Sequence, residues 1–142
     1  MVSLYHADQR YLRLTCCFDN IASDPELEER THRIAEAARR ALTEAGLKLH
    51  LESGFSDTVT VFDIPSETTC DAILSRMKKE HNIMLAGSFD DLSGKVIRIG
   101  HMGNNANFED MTATMYALSE TLTFLGVNLT GNLVGLFLKY YH

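Results

Sequence analysis

The chain has 142 residues, 45% of them apolar and 23% charged, which suits a single globular domain spanning 1–142. The formal net charge of −6 argues against a nucleic-acid binder, which needs clustered Lys and Arg, and against an anionic membrane surface. The longest apolar stretch near the end, Leu133 to Leu138, is much too short to span a membrane. Because the N-terminus also lacks the pattern of a signal peptide, we expect a cytoplasmic protein.

Cysteine and histidine spacing predicts neither disulfides nor a metal site. The three cysteines are Cys16, Cys17 and Cys70, an odd number with one adjacent pair. The six histidines are scattered without the spacing of a zinc site. Reduced thiols in a cytosolic core are therefore the expected state.

In the first half of the chain, the sequence predicts a helix. It follows an N-terminal segment whose apolar residues have mixed spacing. For residues 1–22 the pattern favours a helix. Asp24 followed by Pro25 is typical of a helix start, and Gly46 is typical of a helix end. Apolar residues between them recur at helical spacing: Leu27, Ile34, Ala38, Ala41, Leu42 and Ala45. The charged residues opposite predict a solvated face: Arg30, Arg33, Glu36, Arg39 and Arg40.

Four segments have the patterns of β-strands. Leucines at 47, 49 and 51 alternate with polar residues, and residues 58–64 are rich in β-branched and aromatic side chains. Residues 83–85 predict a short strand, and residues 96–102 predict another. Gly87 and Gly103 are interpreted as glycines that allow the backbone geometry at strand ends.

Two further helices are predicted. Ser66 is the expected cap of the first, which carries Cys70, Ile73, Leu74 and Met77 on one face. Asn107 begins the second and Gly126 ends it. Its apolar stripe predicts core packing for Met111, Met115, Leu118, Leu122 and Leu125. Residues 127–142 are apolar and interrupted by glycine, and the pattern assigns them no element.

This order of elements predicts an α+β domain with a mainly antiparallel sheet. Short links between successive strands favour antiparallel pairing, and the amphipathic helices then pack on one face of the sheet. No repeat or linker divides the chain.

Arg98 is the residue that most suggests a binding function. On the strand at 96–102, Arg98 shares a face with Val96 and Gly100, while Ile97, Ile99 and His101 share the other. Both faces are partly apolar, so the guanidinium needs a carboxylate or phosphate partner. An internal ion pair with Asp90 or Asp91 is the structural alternative to a ligand.

The segment around Arg98 resembles part of a known enzyme family. Residues 94–103, Gly-Lys-Val-Ile-Arg-Ile-Gly-His-Met-Gly, are similar to a segment of class V aminotransferases of the alanine–glyoxylate and serine–pyruvate type. The resemblance continues through residues 58–65 and 81–87 and the helix at 107–126, and it covers about residues 24–126. Residues 1–22 and 127–142 match no family pattern.

The resemblance implies the small C-terminal domain of a fold-type I enzyme that uses pyridoxal phosphate (PLP). In that family a large domain holds PLP on a Schiff-base lysine, and the small domain supplies an arginine that binds the substrate's α-carboxylate. Arg98 occupies the matching position. The implied partners are the missing large domain or a second subunit, with a small amino acid and a 2-oxo acid as substrates. The intact enzyme would be a dimer.

The chain lacks the family's lysine motif. Its five lysines are Lys48, Lys78, Lys79, Lys95 and Lys139. We therefore expect no cofactor and no catalytic residue on this chain alone. His101 has the near-neutral pKa that proton transfer needs, but a lone histidine is more often a packed or exposed residue with no such role.

Three functions remain open from the sequence. The first is a C-terminal domain or fragment of an aminotransferase that contributes the carboxylate contact. The second is a free-standing regulatory module that binds a carboxylate through Arg98. The third is a structural or interaction domain that uses its apolar helix stripe and tail to contact another protein.

Overall fold

The computed structural model describes residues 26–101 and 106–141. Within these residues the chain forms four α-helices and a two-stranded antiparallel sheet, which confirms the predicted α+β class. The predicted N-terminal helix and the Asp24–Pro25 start lie outside the described residues. In chain order the elements are α1 (Leu27–Glu44), β1 (Val59–Asp63), α2 (Cys70–His81), a 3-10 turn (Asp90–Leu92), β2 (Val96–Gly100), α3 (Phe108–Phe124) and α4 (Leu133–Tyr140).

The sheet pairs β1 with β2, and each strand has one further contact on its outer edge. Val61 lies opposite Arg98 in the register, and Phe62 lies opposite Ile97. Leu49 forms an isolated antiparallel bridge to Phe62, and Ala86 forms another to Arg98. The backbone at 49 and 86 therefore widens the sheet by one residue on each side.

The predicted strands at 47–51 and 83–85 are wrong. In the first segment only Leu49 forms a bridge, and Leu51 is exposed. The second segment follows Asn82, whose left-handed backbone ends α2, and the pairing with β2 falls one residue later, at Ala86. Alternation of apolar residues predicts a strand only where a neighbour supplies hydrogen bonds along its length, and neither segment has such a neighbour.

The predicted helix ends are confirmed at three positions and wrong at one. Gly46 and Gly126 follow α1 and α3 with φ of 97° and 88°, the left-handed geometry that stops a helix. Asn107 caps α3 by accepting a hydrogen bond from the Asp110 amide at 2.7 Å. For α2 the cap is Thr69, whose hydroxyl accepts from the Ala72 amide at 3.2 Å, and not Ser66. The earlier serine lies in the turn before the helix.

α4 is the element that the sequence left unassigned. Asn132 caps it by accepting from the Val134 amide, and Leu133 and Phe137 are fully buried where α4 packs against α1 and α3. The helix is continuous through Gly135, although this glycine breaks the apolar run in the sequence. Within the described residues, no helix has the length and apolar character to cross a membrane.

The core lies between the inner face of the sheet and the helices. Thr60, Phe62, Ile97 and Ile99 supply the sheet side, each 2% exposed or less. The predicted stripe of α1 is buried throughout, and Met111 and Met115 of α3 are core residues as expected. The charged face of α1 is less solvated than predicted. Of its five residues only Arg40 is exposed, whereas Arg30, Arg33, Glu36 and Arg39 are half-buried, and the Arg39 side chain is only 12% exposed.

Candidate functional site

Arg98 lies on the face of the sheet that points away from the core. Its register partner Val61 and the nearby Val59 are half-buried, and Gly100 is exposed, whereas the opposite face is closed. Arg98 as a residue is half-buried, so part of it remains accessible to solvent. This matches the predicted split of β2 into two faces, with Val96 as a buried exception on the outer one.

The backbone next to β2 fixes the Arg98 side chain. The Nε–H group donates a hydrogen bond to the Gly87 carbonyl oxygen at 2.8 Å. The Arg98 backbone exchanges two hydrogen bonds with Ala86, at 2.7 and 3.3 Å. One side of the guanidinium is therefore held, while its terminal nitrogens form no hydrogen bond or ion pair with another described residue.

The ion-pair alternative for Arg98 does not occur. Among residues 26–101 and 106–141, no carboxylate forms a salt bridge with Arg98. The ion pairs observed there join other residues. Asp90 and Asp91 start the 3-10 turn instead and are exposed. A half-buried arginine whose described contacts are a carbonyl and a backbone bridge suits a binding role for carboxylate.

His101 lies on the opposite face and does not join Arg98. Its ring is fully buried, and Nε2 is 2.8 Å from the Thr60 hydroxyl. Burial lowers the pKa of His101, which favours the neutral ring. Nδ1 has no hydrogen-bond partner among the described residues. His101 is thus a packed core histidine, which is one of the two usual states expected above for a lone histidine.

The five lysines do not form a PLP site. All five side chains are exposed, with Lys78 and Lys79 in the last turn of α2. Lys139 of α4 forms an ion pair with Glu44 at 3.1 Å, and this hydrogen bond raises the lysine's pKa. A Schiff-base lysine instead needs an enclosed setting that depresses its pKa. None of the five lysines therefore has the setting that a Schiff-base lysine needs.

Two of the surface clefts show what other parts of the protein offer. One of about 750 Å³ runs along α1 between Arg39, Arg40, Phe55 and Tyr140, where Arg40 pairs with Glu36 and Arg39 pairs with Asp57. A smaller one of about 230 Å³ lies between β2 and α3, where Gly100 and Asp110 line it. Neither includes Arg98. Over the described parts of the chain, no group of three or more His, Cys, Asp or Glu side chains could hold a metal ion.

Sequence reasoning missed what Gly87 does. It assigned this glycine to backbone freedom, but Gly87 has no positive φ. A Cβ built at Gly87 would lie 3.3 Å from the Cys70 Sγ atom, which is close enough that a neighbouring atom would have to give way. The two residues are far apart in the sequence, and no local pattern signals their contact.

The solved structures that this chain resembles include class V aminotransferases. The chain superposes on a ureidoglycine–glyoxylate aminotransferase from Bacillus subtilis with a TM-score of 0.74 and 25% identity, over 80% of this chain and 30% of that one. A pyridoxamine–pyruvate aminotransferase from Mesorhizobium loti gives a TM-score of 0.76 at 25% identity, over 84% and 32% of the two chains. The recognised family and the small-domain fold are both confirmed.

Most of the sequence relatives are also named aminotransferases. An uncharacterized aminotransferase from Methanocaldococcus jannaschii is 33% identical over 115 residues, which is 75% of this chain and 30% of the relative. A protein named soluble hydrogenase, small subunit, from a Synechococcus strain is 33% identical over 98 residues, 69% of this chain and 25% of the relative. No protein-family model matches the sequence. The chain spans between a quarter and a third of the length of these curated relatives.

Proposed function

We propose that this chain is the C-terminal small domain of a PLP-dependent aminotransferase and that Arg98 binds the α-carboxylate of its substrate. The observation that carries the proposal is the state of Arg98. It is half-buried on the outer face of the sheet, held at Nε by Gly87, and not paired with any described carboxylate. The planar guanidinium can accept a carboxylate through two parallel hydrogen bonds.

The role of this contact is orientation. A carboxylate held at two points cannot rotate freely, so the bond to be broken at Cα is presented in one direction. PLP would supply the electron sink for that bond when bound to the rest of the enzyme. The exposed lysines support its placement in the missing large domain rather than on this chain.

The names of the relatives support a substrate class. A glyoxylate aminotransferase and a pyruvate aminotransferase are among the structural neighbours, so a small amino acid and a small 2-oxo acid are proposed here as well. The large domain, on a longer chain or a separate subunit, completes the site. A cytoplasmic homodimer is the proposed setting.

Replacement of Arg98 tests the carboxylate contact. We expect pyruvate to shift the Arg98 Nε–Hε signal in nuclear magnetic resonance spectra of the full chain, while pyruvamide, which lacks the carboxylate, does not. Arg98→Lys keeps the charge but loses the planar pair of donors, and should weaken pyruvate binding about tenfold, as judged by backbone amide shifts. Arg40→Gln, an exposed arginine on α1, is the control and should leave binding unchanged. Equal pyruvate affinity in wild type and Arg98→Lys would contradict the proposal.

A second candidate, an interaction module, has one observation in its favour. Met84 and Phe89 are each 79% exposed, and they lie on either side of the Ala86–Gly87 segment that contacts Arg98. Large apolar side chains with this exposure suit a protein contact. Self-association measured by analytical ultracentrifugation that is lost in a Met84→Gln, Phe89→Gln double variant, together with no pyruvate-dependent shift of the Arg98 signal, would favour this function over carboxylate binding.

A further inference from the structure

Gly87 lies between Arg98 and the first turn of α2. Its carbonyl oxygen accepts the hydrogen bond from Arg98 Nε at 2.8 Å. On its other side, the position of a Cβ would be 3.3 Å from Cys70 Sγ and 3.8 Å from Leu74 Cδ1. The first of these distances is shorter than ordinary van der Waals contact, so an alanine at this position requires something to move.

Cys70 has little freedom to give way. It is the first residue of α2, 7% exposed, and its Sγ also faces the Val96 carbonyl oxygen at 3.9 Å. The sulfur thus lies between β2 and the segment beside it. Because burial and the nearby Asp71 raise the pKa of the Cys70 thiol, it stays protonated and acts as a packing group.

The segment at 86–87 is easier to displace than the sulfur. Residues 83–89 form no helix or strand, and their pairing with β2 is the single bridge from Ala86 to Arg98. A side chain at 87 would therefore push this segment away from Cys70. The movement would shift the carbonyl that orients the guanidinium.

We propose that Gly87 is a positioning residue for Arg98. The lack of a side chain at 87 lets the segment pack against Cys70, and this packing sets the direction in which Arg98 presents its free edge. The functional meaning of this positioning rests on the proposed contact between Arg98 and a substrate carboxylate. Its geometry can be tested without any ligand.

The test uses the full 142-residue chain and four variants. In wild type, nuclear magnetic resonance should show a scalar coupling across the hydrogen bond from Arg98 Nε to the Gly87 carbonyl carbon, with the signal assigned by its loss in Arg98→Lys. In Gly87→Ala the coupling should disappear, and exchange of the Arg98 Hε proton with water should become about three- to tenfold faster, the factor for one ordinary hydrogen bond.

A second substitution tests the stated cause. Cys70→Ala removes the sulfur that a Cβ at 87 would meet, so the Gly87→Ala, Cys70→Ala double variant should regain the coupling and the slow exchange. Gly135→Ala is the matched control, because no atom lies within 4 Å of the added carbon there. Wild type without the coupling, or a double variant that exchanges as fast as Gly87→Ala, would overturn the positioning role.

Pyruvate titration separates this inference from the function on which it rests. We expect Gly87→Ala to bind pyruvate more weakly than wild type by about three- to tenfold and the double variant to recover. If wild type shows no pyruvate-dependent shift, the carboxylate role of Arg98 is overturned, whatever the coupling shows. If wild type binds but Gly87→Ala binds equally well with an unchanged exchange rate, the positioning role alone is overturned.

Discussion

Arg98 and His101 are three residues apart, yet the sheet directs them to opposite environments. Arg98 faces outward and is held through Nε by a carbonyl oxygen. His101 continues the alternation inward and is closed off beside Thr60. The parity of a strand thus decides which of the two polar side chains can meet a ligand. A proton-transfer role for His101 has no geometric support, because its ring has no exposed surface.

Burial of His101 predicts a pH-dependent stability. Its pKa is lowered mainly by burial, with Arg39 adding repulsion and Asp57 acting in the opposite direction. The unfolded chain then binds the proton more readily than the folded one, so the free energy of unfolding is greatest above the unfolded pKa of about 6.5 and falls as pH decreases toward the folded pKa. We expect the melting temperature to decrease from pH 7.5 to pH 5.5, and His101→Gln to reduce this dependence.

The control for this pH effect is His32, which is exposed on α1 and pairs with Asp57. Folding does not bury His32, so His32→Gln should leave most of the decrease in place. The carboxylates whose pKa values are lowered by partners, Glu44 and Asp57, lose their contribution only at more acidic pH. An identical pH profile in wild type and His101→Gln would contradict the assignment.

At the scale of elements, α4 joins the two long helices. Phe137 is fully buried and stacks with Phe108, while Leu133 fills the space beside it. At its far end, Tyr140 and Lys139 hydrogen-bond the Glu44 carboxylate and lower its pKa. α4 therefore closes the side of the core that α1 and α3 leave open.

Truncation of Phe137 tests this role of α4. Phe137→Ala removes a buried aromatic side chain and should lower the free energy of unfolding by about 3–5 kcal/mol. The neighbouring Leu138 is 46% exposed, so Leu138→Ala should cost less than about 1 kcal/mol. Urea unfolding followed by circular dichroism measures both. Similar losses for the two variants would show that α4 does not pack against α1 and α3 as described.

At the scale of the whole molecule, the chain corresponds to about 30% of an aminotransferase. It contains the arginine but presents all its lysines to solvent. Under the proposed function, the residues that would meet the substrate carboxylate and those that would hold the cofactor belong to different parts of the enzyme. Met84 and Phe89 mark an apolar surface beside the arginine.

Reductive trapping tests whether the cofactor site lies outside this chain. The pure chain is incubated with PLP, reduced with borohydride and mapped by mass spectrometry. We expect only sparse labelling distributed over the five lysines, because each is exposed and none is activated by burial. Lys139→Arg should not change the total noticeably. One stoichiometric adduct on a single lysine would contradict the division and would indicate a cofactor site on this chain.

The amino-acid sequence by itself determined the helices with an uninterrupted apolar period, the ends that glycine or asparagine marks, and the two strands rich in β-branched residues. It also determined which residues share a face of β2, because that depends only on parity. These signals are local, since each is set by residues within a few positions of one another.

Only the tertiary structure decided the rest. It showed that Leu49 and Ala86 are single bridges rather than strands, that α4 exists, and that Arg98 has a carbonyl partner instead of Asp90 or Asp91. It also revealed that a side chain at Gly87 would come into tight contact with a sulfur seventeen residues earlier in the chain, at Cys70. Each of these depends on contacts between segments distant in sequence, and pairing and packing at such distances leave no period in the chain.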